Sequence, residues 1–259
     1  NGFHDLESLV CFINLFDEIK VIEDSKFSIE ITGPFKSYLN NKENIIKKTV
    51  FGLSSLIGIK PNFKIILNKN IPTSAGLGGG SADSAAIIRG IIKNKLKKKT
   101  IYKFAKIIGS DVPVCLYNKN AFFKGYGEIL SKAPKLPNFS IILINPIIEL
   151  STKKVFLEYD KNFLFNKKNN THRLNNKNFY SWILKNNNDL LMPAKKIVPE
   201  IGEMLSFLDN LENCLLSRMT GSGPTVFGLF KNSVDARNAN KIFKKKYPNW
   251  WSTVTSLKS

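Results

Sequence analysis

The sequence has few cysteines and lacks any long hydrophobic run. Its three cysteines, Cys11, Cys115 and Cys214, are far apart among 259 residues and show neither pairing nor metal-ligand spacing. We therefore expect reduced core cysteines in a cytoplasmic protein. No apolar stretch reaches the roughly 18 residues of a membrane-spanning helix, and no signal peptide is visible. These absences argue against a disulfide scaffold and against a membrane protein.

Acidic residues and arginines are scarce as well. Lys and Arg total 39 against 20 Asp and Glu, which gives a formal charge of +19, and only four of the basic residues are arginines. A basic surface attracts polyanions, so an RNA-binding protein is one hypothesis. However, the lysines are scattered among many Asn and Ile residues. We therefore favour a generically basic surface and expect no specific nucleic-acid site.

Hydrophobic patterning predicts a mixture of helices and strands in a chain near the size at which one core divides into two. The predicted strands are 26–33, 63–70, 139–146 and 250–257, with a strand, turn and strand over 214–230. The predicted helices are 41–58, 81–96, 98–109, 199–211 and 233–247. The polar segment 161–179 is expected to lie on the surface, and the Pro-containing segment 133–138 is the best candidate boundary.

The glycine-rich stretch IPTSAGLGGGSADSAA, residues 71–86, joins a predicted strand to a predicted helix. Such a loop places bare backbone amides and the positive end of a helix dipole together, which suits phosphate. The loop is not a P-loop, because no Lys follows the last glycine, and Ser81 breaks the dinucleotide fingerprint. By the loop alone, phosphate binding is favoured over a simple tight turn. We expect Asp83 to oppose the helix dipole in the first turn rather than to bind a metal.

Several motifs in order resemble those of the GHMP kinases, the family of galactokinase, homoserine kinase and mevalonate kinase. The motifs are NGFHDLESL at the start, PTSAGLGGGSADSAA, GSDVPVCL, GYGEIL and MTGSGPTVFGLF. The resemblance runs over nearly the whole chain. It implies an α+β protein of two lobes, with an ATP-binding lobe over 1–135, a C-terminal lobe over 136–259, and ATP and substrate in the cleft between the lobes.

The resemblance also implies an activity. ATP with Mg²⁺ would phosphorylate an alcohol. Together with GYGEIL, the first and third motifs narrow the substrate to a small cytidyl diphosphate, diphosphocytidyl-methylerythritol, phosphorylated on its 2-hydroxyl in non-mevalonate isoprenoid biosynthesis. A homoserine- or mevalonate-type kinase is the alternative. We expect no membrane association and a monomer or weak dimer.

The ATP end of the implied site has three parts. Asp111 is the candidate base, although local sequence alone would equally allow a helix cap before Pro113. Asn44 and Lys69 match the adenine pocket, with a solvated Lys69 as the alternative. The loop around the ATP phosphates matches Gly76, Leu77, Gly78, Gly79, Gly80 and Ser81, and the Ser81 hydroxyl is also a candidate Mg²⁺ ligand.

The substrate end is implied in the same way. Phe3, where Tyr is common in the family, would stack on the cytosine, and His4 would hydrogen-bond to it. Thr152 and Phe156 match the second wall of this pocket, although Lys153 replaces a family proline there. The turn of Gly221, Ser222 and Gly223 would present amides to the substrate diphosphate, or would be a simple hairpin turn.

The chain begins at Asn1, inside the first motif. Family members have an earlier strand that carries a Lys and an Asn, and that Lys would support Asp111. We therefore expect that the sequence lacks its natural N-terminus, that it turns over slowly or not at all, and that the neighbouring strand is an edge prone to association.

Overall fold

The structure, a computed structural model, describes residues 6–39, 44–92, 96–125, 129–162 and 178–258. The chain forms two compact units. The first comprises residues 1–73 and 78–133, and the second comprises residues 74–77 and 134–259. The glycine loop therefore contributes to both units.

Two three-stranded sheets and four helices form the described part of the first unit. One sheet has the order β1-β5-β6 and is antiparallel; in the other, β4 is central, antiparallel to β2 and parallel to β3. The strands are β1 (Leu6–Val10), β2 (Glu18–Glu23), β3 (Ser28–Thr32), β4 (Phe63–Asn68), β5 (Ala121–Gly125) and β6 (Ile129–Lys132). The helices are α1 (Ile45–Ile57), α2 (Gly79–Ile92), α3 (Lys98–Ile108) and α4 (Val112–Tyr117).

The core of the first unit forms where α1 and α2 pack together and against the β4 sheet. Leu53 of α1, Ile88 of α2, and Ile65 and Leu67 of β4 are almost wholly removed from water. Burial of such side chains is the main favourable contribution to folding. Helix α1 ends where Gly58 adopts the left-handed conformation (φ +70°), the common helix end that was predicted at this glycine.

The described part of the second unit has one four-stranded antiparallel sheet of order β10-β7-β9-β8. Its strands are β7 (Ser140–Asn145), β8 (Leu216–Met219), β9 (Val226–Phe230) and β10 (Trp251–Ser256). The helices are α5 (Thr152–Asn162), α6 (Phe179–Lys185), α7 (Leu191–Ile197), α8 (Glu200–Asp209) and α9 (Ser233–Lys246). Strand β7 is one of the two inner strands and is largely buried, and its Ile142 and Ile144 join Met204 and Phe243 in the core.

These elements confirm the predicted α+β class and the predicted strands and helices that lie in described segments. Short elements such as β1, β6, α4 and α7 were not predicted, because a few residues carry too little periodicity. Most of the predicted surface segment 161–179 lies outside the described residues. No helix of the described segments has the length and apolarity to cross a bilayer.

All three cysteines are unpaired, as predicted. Cys115 is buried, and the other two are half-buried. Burial raises the thiol pKa of Cys11 and Cys115 to about 12, and that of Cys214 to about 11. The thiols are therefore protonated at neutral pH and have little nucleophilic character.

Helix α2 begins at Gly79, two residues before the predicted start, which changes the role of Asp83. The prediction that Asp83 opposes the dipole in the first turn is wrong, because no acidic residue lies in that turn. Asp83 is instead buried and accepts a hydrogen bond from Lys69 Nζ at 3.2 Å.

Lys69 is the centre of this buried ion cluster. Its ammonium also pairs with Asp17 Oδ2, and the side chains of Lys69 and Asp17 are 3% and 1% exposed. The second oxygen of Asp17 accepts from the backbone N–H groups of Asn70 and Ile71 at 2.6 and 2.9 Å. The alternative of a solvated Lys69 is therefore wrong, since the cation is enclosed by two carboxylates that satisfy it.

Removing the cation should destabilise the first unit strongly. Lys69→Met leaves two buried carboxylates without their shared cation, so we expect the free energy of unfolding to fall by about 3 to 5 kcal/mol. Lys64→Met is the matched control, because Lys64 pairs with Glu30 at an exposed site of the same unit and should matter much less. Pulsed hydrogen exchange in urea, followed in peptides of α2, measures both. Equal losses would contradict the importance of the cluster.

The Asp83 carboxyl should make the first unit less stable as pH rises. Burial, opposed by attraction to Lys69, raises its pKa from near 3.8 to about 6. The folded state therefore holds this proton more tightly than the unfolded state, and its stabilising contribution is lost between about pH 4 and pH 6. The two pKa values differ by the equivalent of about 3 kcal/mol.

The measurement is the difference in free energy of unfolding between wild type and Asp83→Asn across this pH range. We expect that difference to fall by up to about 3 kcal/mol as the pH rises from 4 to 6. A difference that rises with pH would show that attraction to Lys69 outweighs desolvation of Asp83.

Candidate active site

The glycine loop delivers the chain to the first turn of α2. Gly76 and Gly78 have φ values of +68° and +67°, which residues with a side chain rarely adopt. The first α-helical hydrogen bond runs from the Ala82 N–H to the Gly78 carbonyl at 2.9 Å. The 14-residue helix therefore starts with amides and a positive dipole end at Gly79, Gly80 and Ser81, an arrangement that attracts phosphate.

Gly76 lies tightly against the turn between β8 and β9, within the second unit. A Cβ atom built on Gly76 would lie 2.6 Å from the Gly223 carbonyl oxygen and 2.7 Å from that of Thr220. The Thr220 hydroxyl also donates to the Gly76 carbonyl at 3.2 Å. The predicted phosphate loop and the predicted diphosphate turn are thus brought together at Gly76.

The turn itself contains Gly221 and Gly223 in positive φ, at +54° and +80°. It is closed by the Gly223 N–H, which donates to the Thr220 carbonyl at 2.9 Å. Ser222 is buried, and its hydroxyl hydrogen-bonds to the Thr152 hydroxyl at 2.8 Å. The structure therefore also brings together Thr152 and Ser222, two predicted substrate residues that are distant in sequence.

Thr152 begins α5, and the half-buried Phe156 follows on the same helix. Residues four apart in a helix lie on one face, so Thr152 and Phe156 belong to the same side of α5. Lys153, which replaces a family proline, is exposed. The predictions for Phe3 and His4 lie outside the described residues.

Asp111 lies directly before α4, in the cap position, but its side chain caps nothing. Its Oδ1 accepts from the Ser110 hydroxyl at 3.3 Å. By its solvent-accessible surface the residue is exposed. The surrounding protein nevertheless desolvates the carboxyl, and this raises its pKa. Asp111 therefore occupies the helix-cap position, but its carboxyl forms no capping hydrogen bond.

Ser81 and the segment that leads to Asp111 are close neighbours in the first unit. The Ser81 hydroxyl oxygen lies 4.0 Å from a Cβ built on Gly109, two residues before Asp111. Helices α2 and α4 pack together here, and Arg89 of α2 donates to the Cys115 carbonyl of α4 at 3.0 Å. The predicted metal ligand and the predicted base thus belong to one side of the unit.

The two residues predicted for the adenine pocket both have structural partners. Asn44 is buried, and its side-chain oxygen caps α1 by accepting from the Ile46 N–H at 2.9 Å. Lys69 is held in the ion cluster, and its Nζ lies 3.1 Å from a Cβ built on Gly79. The Lys69 ammonium therefore lies directly beside the first residue of α2.

Two residues of this region were not predicted from the sequence. Asp17 completes the ion cluster, but a single Asp in FDEI has no local signal for burial. Asn188 donates to the carbonyls of Met219 and Gly221 in the turn, but it stands in an ordinary run of asparagines. Only contacts between distant segments identify either residue.

The region has backbone amides of a kind that suits an anion and, in the same unit, the Asp111 carboxyl, but no preformed metal cage among its described residues. Among the described residues, no group of three or more His, Cys, Asp or Glu could hold a metal ion. Mg²⁺ does not require such a cage, because it commonly takes one or two protein oxygens and completes its shell with phosphate and water. The Ser81 hydroxyl is compatible with that mode.

Family models match both parts of the chain. A model of the GHMP kinases N terminal domain matches residues 44–119, and a model of the GHMP kinases C terminal matches residues 170–249. The glycine loop, Asp111 and the turn between β8 and β9 all lie inside the matched ranges.

Curated relatives match over the full length. A 4-diphosphocytidyl-2-C-methyl-D-erythritol kinase of Paramagnetospirillum magneticum is 35% identical over 100% of this chain and 92% of the relative. One of the same name from Ehrlichia ruminantium strain Gardel is 36% identical over 96% of this chain and 89% of the relative.

Solved structures share the fold. A crystal structure of 4-(cytidine 5'-diphospho)-2C-methyl-D-erythritol kinase has a TM-score of 0.76 at 23% identity, covering 99% of this chain and 91% of that chain. L. major mevalonate kinase in complex with R-mevalonate has a TM-score of 0.74 at 15% identity, covering 98% of this chain and 90% of that chain. The expected α+β GHMP kinase fold is confirmed. Because the family models match most of the chain and the curated relatives match its full length, the chain belongs to the GHMP kinase family.

Proposed function

We propose that the chain transfers the γ-phosphoryl group of ATP to the 2-hydroxyl of 4-diphosphocytidyl-2-C-methyl-D-erythritol and releases ADP. The observation that carries this proposal is the 35% identity, over the whole chain, to a kinase named for that substrate. The mevalonate kinase shares the fold, but 15% identity does not support its substrate. The enzyme would act in the cytoplasm as a monomer or weak dimer, in non-mevalonate isoprenoid biosynthesis.

The glycine loop would hold the ATP phosphates. Its support is the start of α2, where the amides of Gly79, Gly80 and Ser81 meet the positive end of a 14-residue helix. Gly76, Leu77 and Gly78 complete the loop and leave room for close backbone approach. Mg²⁺ bound with ATP would neutralise phosphate charge, and the Ser81 hydroxyl would hold it.

Asp111 would be the general base. Phosphoryl transfer requires that the attacking hydroxyl lose its proton, which passes to the carboxylate as the oxygen–phosphorus bond forms and the bond to the β-phosphate oxygen breaks. Desolvation raises the Asp111 pKa, so the carboxylate is a better proton acceptor than an ordinary Asp.

The remaining residues would define the two ends of the site. Asn44 and Lys69 belong to the adenine end, where Asn44 caps α1 and Lys69 lies beside the first residue of α2. Phe3 and His4 would hold the cytosine, and Thr152 with Phe156 would form the second wall. Amides of the Gly221–Gly223 turn would bind the substrate diphosphate.

Substrate choice and the base can be tested together. We expect slow ADP release with the cytidyl substrate and none with homoserine or mevalonate. Asp111→Asn should lower kcat about 100-fold or more, because the amide cannot accept the proton. Calorimetric binding of ATP and of the cytidyl substrate to both proteins separates loss of chemistry from loss of binding.

The matched control is Asp160→Asn, an exposed Asp in the second unit, which should leave kcat unchanged. Turnover with homoserine or mevalonate, or binding of neither ATP nor the cytidyl substrate, would refute the proposed function. Strong salt-sensitive RNA binding without either ligand would favour the RNA-binding hypothesis instead.

Gly76 and Gly78 should respond differently to alanine, although their φ values are nearly equal. Gly76→Ala should lower the stability of the second unit by about 2 kcal/mol or more, because its Cβ collides with two carbonyls. A Cβ on Gly78 meets no atom of the described residues within 4 Å, so Gly78→Ala should mainly raise the KM for ATP, about tenfold.

Tryptophan fluorescence in urea measures the first effect, since all three tryptophans lie in the second unit. Steady-state kinetics with varied ATP measure the second. An unchanged KM for ATP in Gly78→Ala would count against phosphate binding at this loop.

A further inference from the structure

Asn188, between α6 and α7, has its side-chain amide fully engaged. Its Nδ2 donates to the Met219 carbonyl at 2.9 Å and to the Gly221 carbonyl at 2.8 Å. Its Oδ1 accepts from the Leu190 N–H at 3.0 Å, at the start of α7. One half-buried side chain thus fixes two carbonyls on either side of Thr220.

These bonds determine which way the neighbouring amides point. In a trans peptide the C=O of one residue and the N–H of the next point in opposite directions. Holding the Met219 carbonyl therefore turns the Thr220 N–H away from Asn188, where it donates to the Thr225 carbonyl at 3.0 Å. Holding the Gly221 carbonyl turns the Ser222 N–H away from Asn188 in the same manner.

The Ser222 N–H is a donor that this arrangement leaves unused. Among the described residues no oxygen accepts a hydrogen bond from it, whereas the Gly223 N–H is used to close the turn. The Ser222 side chain is itself held by Thr152 at 2.8 Å. An oriented backbone donor without a protein acceptor is suited to an anionic oxygen.

We propose that Asn188 is a positioning residue for the substrate: it holds the Met219 and Gly221 carbonyls so that the Ser222 N–H faces the diphosphate of the cytidyl substrate. The inference rests on the proposed function, because the diphosphate is that substrate's. It adds a residue outside the turn that sets the geometry of the turn.

The same contacts extend to the glycine loop. Thr220, between the two held carbonyls, donates its hydroxyl to the Gly76 carbonyl. Gly221 also faces Gly76, since a Cβ built on Gly221 would lie 3.1 Å from the Gly76 carbonyl oxygen. Asn188 therefore acts most directly on the turn and, one contact further, on Gly76.

Asn188→Asp tests the proposal with a nearly isosteric change. The variant keeps the acceptor for the Leu190 N–H but places a carboxylate oxygen against two carbonyls, so both bonds to the turn are lost. We expect the KM and the calorimetric Kd for the cytidyl substrate to rise at least about tenfold, with a change of less than about threefold in the Kd for ATP.

Asn186→Asp is the matched control. Asn186 is equally half-buried and donates its Nδ2 to a backbone carbonyl, that of Trp182 at 2.7 Å, but it does not contact the turn. This variant should keep the KM, the kcat and both dissociation constants of wild type. Asn188→Ala, which removes the amide without adding a charge, should show the same pattern as Asn188→Asp with a smaller change.

Hydrogen exchange on the same proteins follows the turn independently of activity. In Asn188→Asp, exchange at the Thr220 and Gly223 amides should accelerate, while peptides of β7 stay protected and show that the unit is folded. Unchanged substrate affinity or equal weakening of ATP and substrate binding would overturn the proposal. If wild type does not bind the cytidyl substrate, the proposed function fails, and faster exchange at the turn would still support Asn188 as the residue that holds it.

Discussion

Lys69 shares its ammonium between the carboxylates of Asp17 and Asp83 at a place almost free of water. The three residues come from the segment before β2, the segment after β4, and the body of α2. A buried ion pair contributes little net stability compared with apolar packing, but loss of one partner is costly because the other charges stay buried. The cluster therefore holds these three segments in one arrangement. The start of α2, at Gly79, packs directly against it.

In the second unit, neutral hydrogen bonds hold distant segments together. In its turn between β8 and β9, Asn188 holds two backbone carbonyls and Thr152 holds the Ser222 hydroxyl. Gly76 closes against this turn only because it has no Cβ. Each unit thus holds a set of backbone amides in place. In the first unit the ion cluster lies beside them, and in the second the Asn188 amide binds the turn. Fixed donors of this kind are what phosphate binding generally requires.

Much of the fold was predictable from local pattern. Long elements such as α9 and buried strands such as β7 carry enough periodicity to be identified, and Gly58 marks the end of α1 by a conformation that glycine adopts most easily. The predictions failed where contacts with residues distant in sequence determine the local structure. The start of α2 was placed two residues late, and Asp83 was assigned to the helix dipole, because nothing local indicates that Lys69 and Asp17 lie beside it.

The sequence by itself determined the α+β class, the motif order that identified the family, and the candidate residues of the glycine loop, Asp111 and the turn, since these are properties of short, contiguous stretches. Only the tertiary structure decided that Lys69 is buried, that Thr152 meets Ser222, and that Asn188 holds the turn. These contacts join residues far apart in the chain, and their energies depend on burial and orientation, which exist only after the chain has folded.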